Sequence, residues 1–163
     1  MMGEERMAKI LVVYYSRGGH TARMAELVAE GAQEAGAQVD LKSVQETTAA
    51  ELLEYDGIIA GSPTYYGQMS WELKKLFDES VKFHQRLEGK VGGAFTSSAN
   101  IGGGNETTIL SIIEAMLIHG MVVQGTAGGD HYGPVSIGTP DDRVEPQCRA
   151  LGRRVAELAA RLA

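Results

Sequence analysis

A run of strand-forming residues, a loop and an amphipathic helix recur in that order along these 163 residues. That rhythm restricts the fold more than any other feature of the chain. Ile10-Leu11-Val12-Val13-Tyr14 is apolar at consecutive positions, as a strand covered on both faces must be. From Ala22 to Ala35, Met24, Leu27, Val28, Gly31 and Ala35 return at helical spacing, and Gly36 follows where a helix C-terminus favours a left-handed residue. Val39 to Val44 alternates as a strand nearer a sheet edge, and Ala49 to Glu54 predicts a short helix. Gly57 to Gly61 is a third strand, and Met69 to Ser80 a helix with Leu73, Leu76 and Phe77 on one face. Val91 to Phe95 is a fourth strand, followed by a helix from Asn105 to His119. Met121 to Gln124 is a fifth strand, Gly125 to Pro140 a long glycine-rich loop, and a closing helix starts near Val144.

Strands separated by helices pair in parallel through right-handed crossovers. The expected architecture is therefore α/β, a single doubly wound domain over residues 8–163, with helices on both faces of a five-stranded parallel sheet. In the strand order 2-1-3-4-5 a ligand binds outside the strand C-termini, where the first and third strands part. The loops after strands one, three and four all reach that edge.

Composition narrows the function. A net charge of -6 argues against nucleic acid or an anionic membrane surface as partner. No apolar run approaches the roughly 20 residues of a membrane span. Met1 to Met7 is polar and charged, so residues 1–7 are expected to be an extension ahead of the domain rather than a secretory signal. The single cysteine, Cys148, excludes an internal disulfide, suits the cytoplasm and is expected to be a buried small residue.

The first loop, Tyr15-Ser16-Arg17-Gly18-Gly19-His20-Thr21, joins a core strand to a helix N-terminus. The first amides of a helix lack internal partners and its dipole favours negative charge, so such a junction suits an anion. Ser16 and Thr21 add hydroxyl donors. The same residues also suit a capped strand–helix turn with no ligand. The loop has neither the Lys of a nucleotide-triphosphate loop nor the G-x-G-x-x-G of a dinucleotide fold. Hydroxyls interleaved with glycine fit a terminal monophosphate, which points toward FMN. The second loop, Pro63-Thr64-Tyr65-Tyr66-Gly67, offers backbone groups and two rings beside a planar ligand. The third, Ser97-Ser98-Ala99-Asn100-Ile101-Gly102-Gly103 and Gly104, offers hydroxyls and amides to a polar ring edge. Tyr65 and Tyr66 equally suit ordinary loop anchors, and the glycines a flexible helix lead-in. No paired carboxylates, Ser-His-Asp order or metal-ligand spacing stands beside these loops, so a cofactor is expected to carry the chemistry. His119, before Gly120, is expected to cap its helix through the dipole.

These loops resemble those of the flavodoxin-like FMN proteins, and most closely the WrbA-type NAD(P)H:quinone oxidoreductases. Tyr14-Tyr15-Ser16 with Gly19-His20 resembles that family's phosphate loop. Gly61-Ser62-Pro63-Thr64-Tyr65-Tyr66-Gly67-Gln68-Met69 matches its second loop, and Phe95-Thr96-Ser97-Ser98 with Gly102-Gly103-Gly104-Asn105 its third. The resemblance implies a flavodoxin-like fold and FMN contacts from Ser16 through Thr21, Pro63 through Gly67 and Ser97 through Gly103. It also implies NAD(P)H as electron donor and a quinone as acceptor.

The departures concern the substrate side. Ile118-His119 replaces the family's paired His, Tyr65 stands where Arg is usual, and the family's Trp falls near Phe83-His84. Two functions follow. One is FMN-dependent NAD(P)H:quinone oxidoreduction, and the other a flavodoxin-type one-electron carrier between redox protein partners. In the enzyme, the outer wall of the flavin pocket is expected from Phe83 or Tyr132 as a stacking ring. His84 or His131 would be its proton donor. The connections after the second and fifth strands are shorter here than in the family, where such segments often build oligomer contacts, so a homo-dimer or tetramer is an open expectation.

Overall fold

The computed structural model describes residues 7–163. The expected N-terminal extension lies outside them except for Met7. Six strands form one parallel sheet: β1 (Lys9–Tyr14), β2 (Gln38–Ser43), β3 (Gly57–Pro63), β4 (Val91–Ser98), β5 (Val122–Val123) and β6 (Val135–Ile137). Four helices connect or cover them: α1 (His20–Glu34), α2 (Trp71–Glu79), α3 (Asn105–Ile118) and α4 (Val144–Leu162). The order is β2-β1-β3-β4-β5, with β6 also beside β4. The doubly wound sheet and its strand order are those expected from the sequence.

Consecutive apolar residues put alternate side chains on each face, and each face has its own helix pair. Ile10, Val12, Ile59 and Phe95 pack under α1 and α4. Leu11, Val13, Ile58, Ala60 and Ala94 pack under α2 and α3. The α1–α4 contact brings backbones together. A Cβ on Gly31 would stand 2.0 Å from the Arg149 carbonyl oxygen, and one on Gly152 1.9 Å from that of Val28. Only glycine permits so close an approach.

The short helix expected at Ala49–Glu54 is present, wound as a 3-10 turn. Two local expectations change. β4 runs on to Ser98, so Ser97 and Ser98 are strand residues with buried side chains rather than loop residues. The fifth strand is split, and this matters most. β5 pairs only with Val91 and Gly92 at the start of β4, while Val135–Ile137, expected to be loop, pairs with Thr96–Ser98 at its end. An eight-residue β4 would otherwise expose the backbone groups of its second half on one side. The chain leaves the sheet after β5, loops outward, and returns to cover them.

Candidate functional site

The registers Tyr14 opposite Gly61 and Pro63 opposite Ser97 bring the C-termini of β1, β3 and β4 to one sheet edge. There a cavity of about 430 Å³ opens. It is lined by Ser16, Arg17, Gly18, His20 and Thr21 from the first loop and by Pro63, Thr64 and Tyr65 from the second. Ser97, Ser98 and Ala99 complete it from β4 and the third loop. Arg17 and His20 stand in its wall and no carboxylate does, in a chain of net charge -6.

Its floor is an amide cradle. Ser16 Oγ accepts the Gly19 and Ala22 amides at 3.2 Å each, and Gly19 turns at φ 97° to begin α1. The Arg23 amide closes on the Gly19 carbonyl. The amides of Gly18, His20 and Thr21 have no acceptor among the described residues. With the dipole of a 15-residue helix behind them, these donors are set for an anion. Ser16 spends its lone pairs inward, which leaves its O–H to donate outward. Thr21 Oγ1 lies 2.8 Å from Ser97 Oγ, both side chains buried, and so ties the first loop to the end of β4. Tyr15, the first residue of the loop, lies near Glu72 of α2, whose carboxylate raises the tyrosine hydroxyl pKa above the ordinary value.

The second loop ends in a tight hairpin. Tyr65 and Gln68 exchange both backbone hydrogen bonds at 3.1 Å, and Tyr66 (φ 50°) and Gly67 (φ 76°) take the left-handed central positions. Tyr66 is fully exposed at the tip. The third loop packs on it, since a Cβ on Gly104 would stand 2.6 Å from the Gly67 Cα. Thr64 fixes the hairpin base, its amide donating to the Ser97 carbonyl and its hydroxyl lying 2.9 Å from that of Thr96.

Eleven of the expected contacts therefore share one cavity wall. Gly19, Tyr66, Gly67, Asn100, Gly102 and Gly103 lie in the same three loops but outside that lining, and Ile101 faces a neighbouring cavity. The sequence reading missed Gly138, which lines the cavity from the end of β6. It also missed Thr139, whose hydroxyl lies 3.2 Å from His20 Nδ1. The alternation Val135-Ser136-Ile137 inside the glycine-rich stretch was the available signal.

The expected substrate wall is not assembled here within one chain. Phe83 and His84 follow α2 in a 3-10 turn ahead of β4, at the sheet's N-terminal edge. The eight residues of β4 separate them from the cavity by roughly 23 Å at the rise of an extended strand. Phe83 packs on the α2–α3 core instead. His84 stands with its ring 5.8 Å from that of His119. His131 and Tyr132 lie in the loop between β5 and β6 and line the adjoining cavity with Ile101. His119 is buried rather than a charged cap. Its Nε2 meets Ser80 Oγ at 2.7 Å, and burial, aided by His84, lowers its pKa.

The flavodoxin family model matches residues 12–135. Over 96% of its length the chain is 38% identical to the whole of an NAD(P)H dehydrogenase (quinone) of Archaeoglobus fulgidus. It is 43% identical over 94% of its length to a flavodoxin of Aquifex aeolicus, covering 88% of that protein. The structure superposes on a WrbA-like flavodoxin from Agrobacterium tumefaciens with TM-score 0.81 and 33% identity, over 96% of this chain and 99% of the other.

Proposed function

The chain belongs to the flavodoxin family, and on that premise we propose that it is an FMN-dependent oxidoreductase carrying electrons from NAD(P)H to a quinone. The observation behind the cofactor is the carboxylate-free cavity whose floor is a set of unpaired helix amides. The residues fit a terminal phosphate. The Gly18, His20 and Thr21 amides and the Ser16 and Thr21 hydroxyls would hold it, while Pro63–Tyr65 and Ser97–Ala99 would flank the ring system. Bound there, FMN supplies the capacity to take up a hydride and to release electrons singly or in pairs. The polypeptide holds the phosphate, orients the ring between two loops and keeps negative side chains away from it. His20, held by Thr139, and Arg17 are the ionisable groups beside the expected phosphate.

The enzyme reading is supported by full-length similarity to quinone dehydrogenases from several organisms. His131 and Tyr132 stand behind the third loop, so any role at the flavin runs through that loop. Phe83 and His84 reach a flavin only if a second copy brings them, which makes a homo-dimer or tetramer part of this proposal. The cytoplasm is the proposed location. No helix among the described residues is long and apolar enough to cross a membrane.

One observation favours a second reading, a flavodoxin-type carrier serving a redox protein partner. The alignment with the Archaeoglobus enzyme spans 190 positions, more than the 163 residues of this chain, so that relative has segments missing here. The alignment with the Aquifex flavodoxin spans 163. Mixing the FMN-loaded protein with NADH or NADPH without oxygen decides between them. Rapid loss of the yellow flavin absorbance, restored by benzoquinone, is the expected result. Indifference to both nicotinamides makes the protein a carrier, and failure to take up FMN removes both readings.

A further inference from the structure

The split fifth strand builds something besides a covered sheet edge. The eleven residues between β5 and β6 fold outward over the N-terminal half of α3 and enclose a second cavity of about 340 Å³. It stands back to back with the flavin cavity. Ala99 and Gly138 line one, and Ile101 and Ile137 line the other. It shares Ile101 with the third loop but takes no residue from the first, which would hold the phosphate.

The walls define a ligand class. Ile109, fully buried, is at the base, and Ile101, Ile137 and Tyr132 stand around it at 87%, 40% and 50% exposure. Three large apolar groups left to water around one hollow are unusual on a folded surface and suit a flat apolar ligand. The polar groups are few. Asp130 is neutralised by Arg143 at 3.0 Å, and its second oxygen takes the Val135 amide at 2.9 Å. Arg143 also donates to the Val135 carbonyl, and the Asp130 amide to Gln147. These bonds fix the wall before any ligand arrives. His131 Nδ1 lies 3.0 Å from the Thr126 carbonyl, so in the neutral ring Nδ1 carries the proton and Nε2 is a free acceptor. Glu106 adds a carboxylate that the Asp130–Arg143 pair does not offset. The cavity thus presents an apolar floor, a surplus of acceptors and a net negative rim. It disfavours phosphates and carboxylates and favours a neutral ring that donates a hydrogen bond.

We propose that this cavity is a second ligand site, specific for an uncharged phenol or hydroquinone ring, with the ring over Ile109 and a hydroxyl on His131 Nε2. The binding chemistry is independent of the proposed reaction. Equating the ligand with the hydroquinone which that reaction forms rests on that proposal.

Methyl NMR of the FMN-loaded protein during titration with 1-naphthol tests the site. Saturable shifts at Ile101, Ile109, Val135 and Ile137 are expected, with none from naphthalene-1-sulfonate, which carries a charge and no donor. His131→Ala, on an exposed loop, should weaken 1-naphthol by roughly 2- to 10-fold, the worth of one neutral hydrogen bond. Ile137→Trp should fill the hollow and abolish the shifts. No saturable shift, equal binding of the sulfonate, shifts confined to the flavin loops, or unchanged affinity in His131→Ala overturns the proposal. Binding of 1-naphthol by a protein indifferent to NADH and NADPH leaves this site standing and removes the hydroquinone identification. Flavin bleaching without 1-naphthol binding does the reverse.

Discussion

Ser16 serves the first loop in two directions, accepting the Gly19 and Ala22 amides while keeping a donor for an anion. Ser16→Ala should therefore weaken FMN by roughly 10- to 100-fold, the worth of about 1.5–3 kcal/mol for a hydrogen bond to a charged group. Flavin titration followed by fluorescence checks this, and unchanged affinity would take the phosphate away from this loop. His119 makes a prediction about pH. Ser80 donates to the Phe77 carbonyl at 2.5 Å and so accepts from His119 Nε2–H. Nδ1 is left buried without a partner among the described residues. Its pKa is lowered from 6.5, by burial first and by His84 second. The unfolded chain therefore takes a proton at higher pH than the fold does. Stability present above about pH 6.5 is lost as pH falls below it. Urea midpoints measured from about pH 7.5 down to about pH 5 should decline, and His119→Gln should flatten that decline.

At the scale of elements, the α1–α4 pair depends on glycine at the crossing. Gly152→Ala places a methyl against the Val28 carbonyl, and both partners are backbone, so no side chain can swing aside. A destabilisation of about 1–3 kcal/mol or more is expected. Thermal melts against Ala150→Ser, at an exposed position on the same helix, would measure it. β4 shows how a strand can extend past its apolar segment. Thr96 and Ser97 continue the ladder because Thr96 donates to the Ser62 carbonyl at 2.7 Å and Ser97 meets Thr21. Their hydroxyls are buried with partners, and the strand end becomes the wall of the cavity. From sequence, Thr96-Ser97-Ser98 has the composition of a loop, because the partners that permit burial lie far along the chain.

The whole molecule has a reporter of its cooperativity in Cys148. It is fully buried on α4 within the α1–α4 core, and burial pushes its thiol up to about 12. Alkylation by iodoacetamide at neutral pH should be negligible in the native protein and fast in denaturant. Labelling in the native state at a rate independent of global stability would reveal local opening of α4. Electrostatics also divides by region. The chain carries a net charge of -6, while the cavity at the sheet edge has no carboxylate in its wall. An anion entering there would meet Arg17 and His20 and no carboxylate in the wall.

What the sequence determined by itself was everything whose cause is local. Ile10 to Tyr14 is a doubly covered strand because its apolar residues are consecutive, and α1 is a helix because its apolar residues recur at helical spacing. The first loop could be read as an anion site because a helix N-terminus makes its own field. Strand–helix alternation then determined the parallel sheet and the edge where three loops meet. Tertiary structure decided what depends on distant partners. β6 is three residues framed by glycine, and only the uncovered end of β4 makes it a strand. Its return places Gly138 in the cavity lined by the three loops and carries His131 and Tyr132 into a second one. Phe83 and His84 stand at the far edge because α2 runs back along the sheet before β4 begins. The physical reason is that hydrophobic spacing and helix dipoles act within a few residues. Strand pairing and cavity walls join residues that only the folded chain brings together.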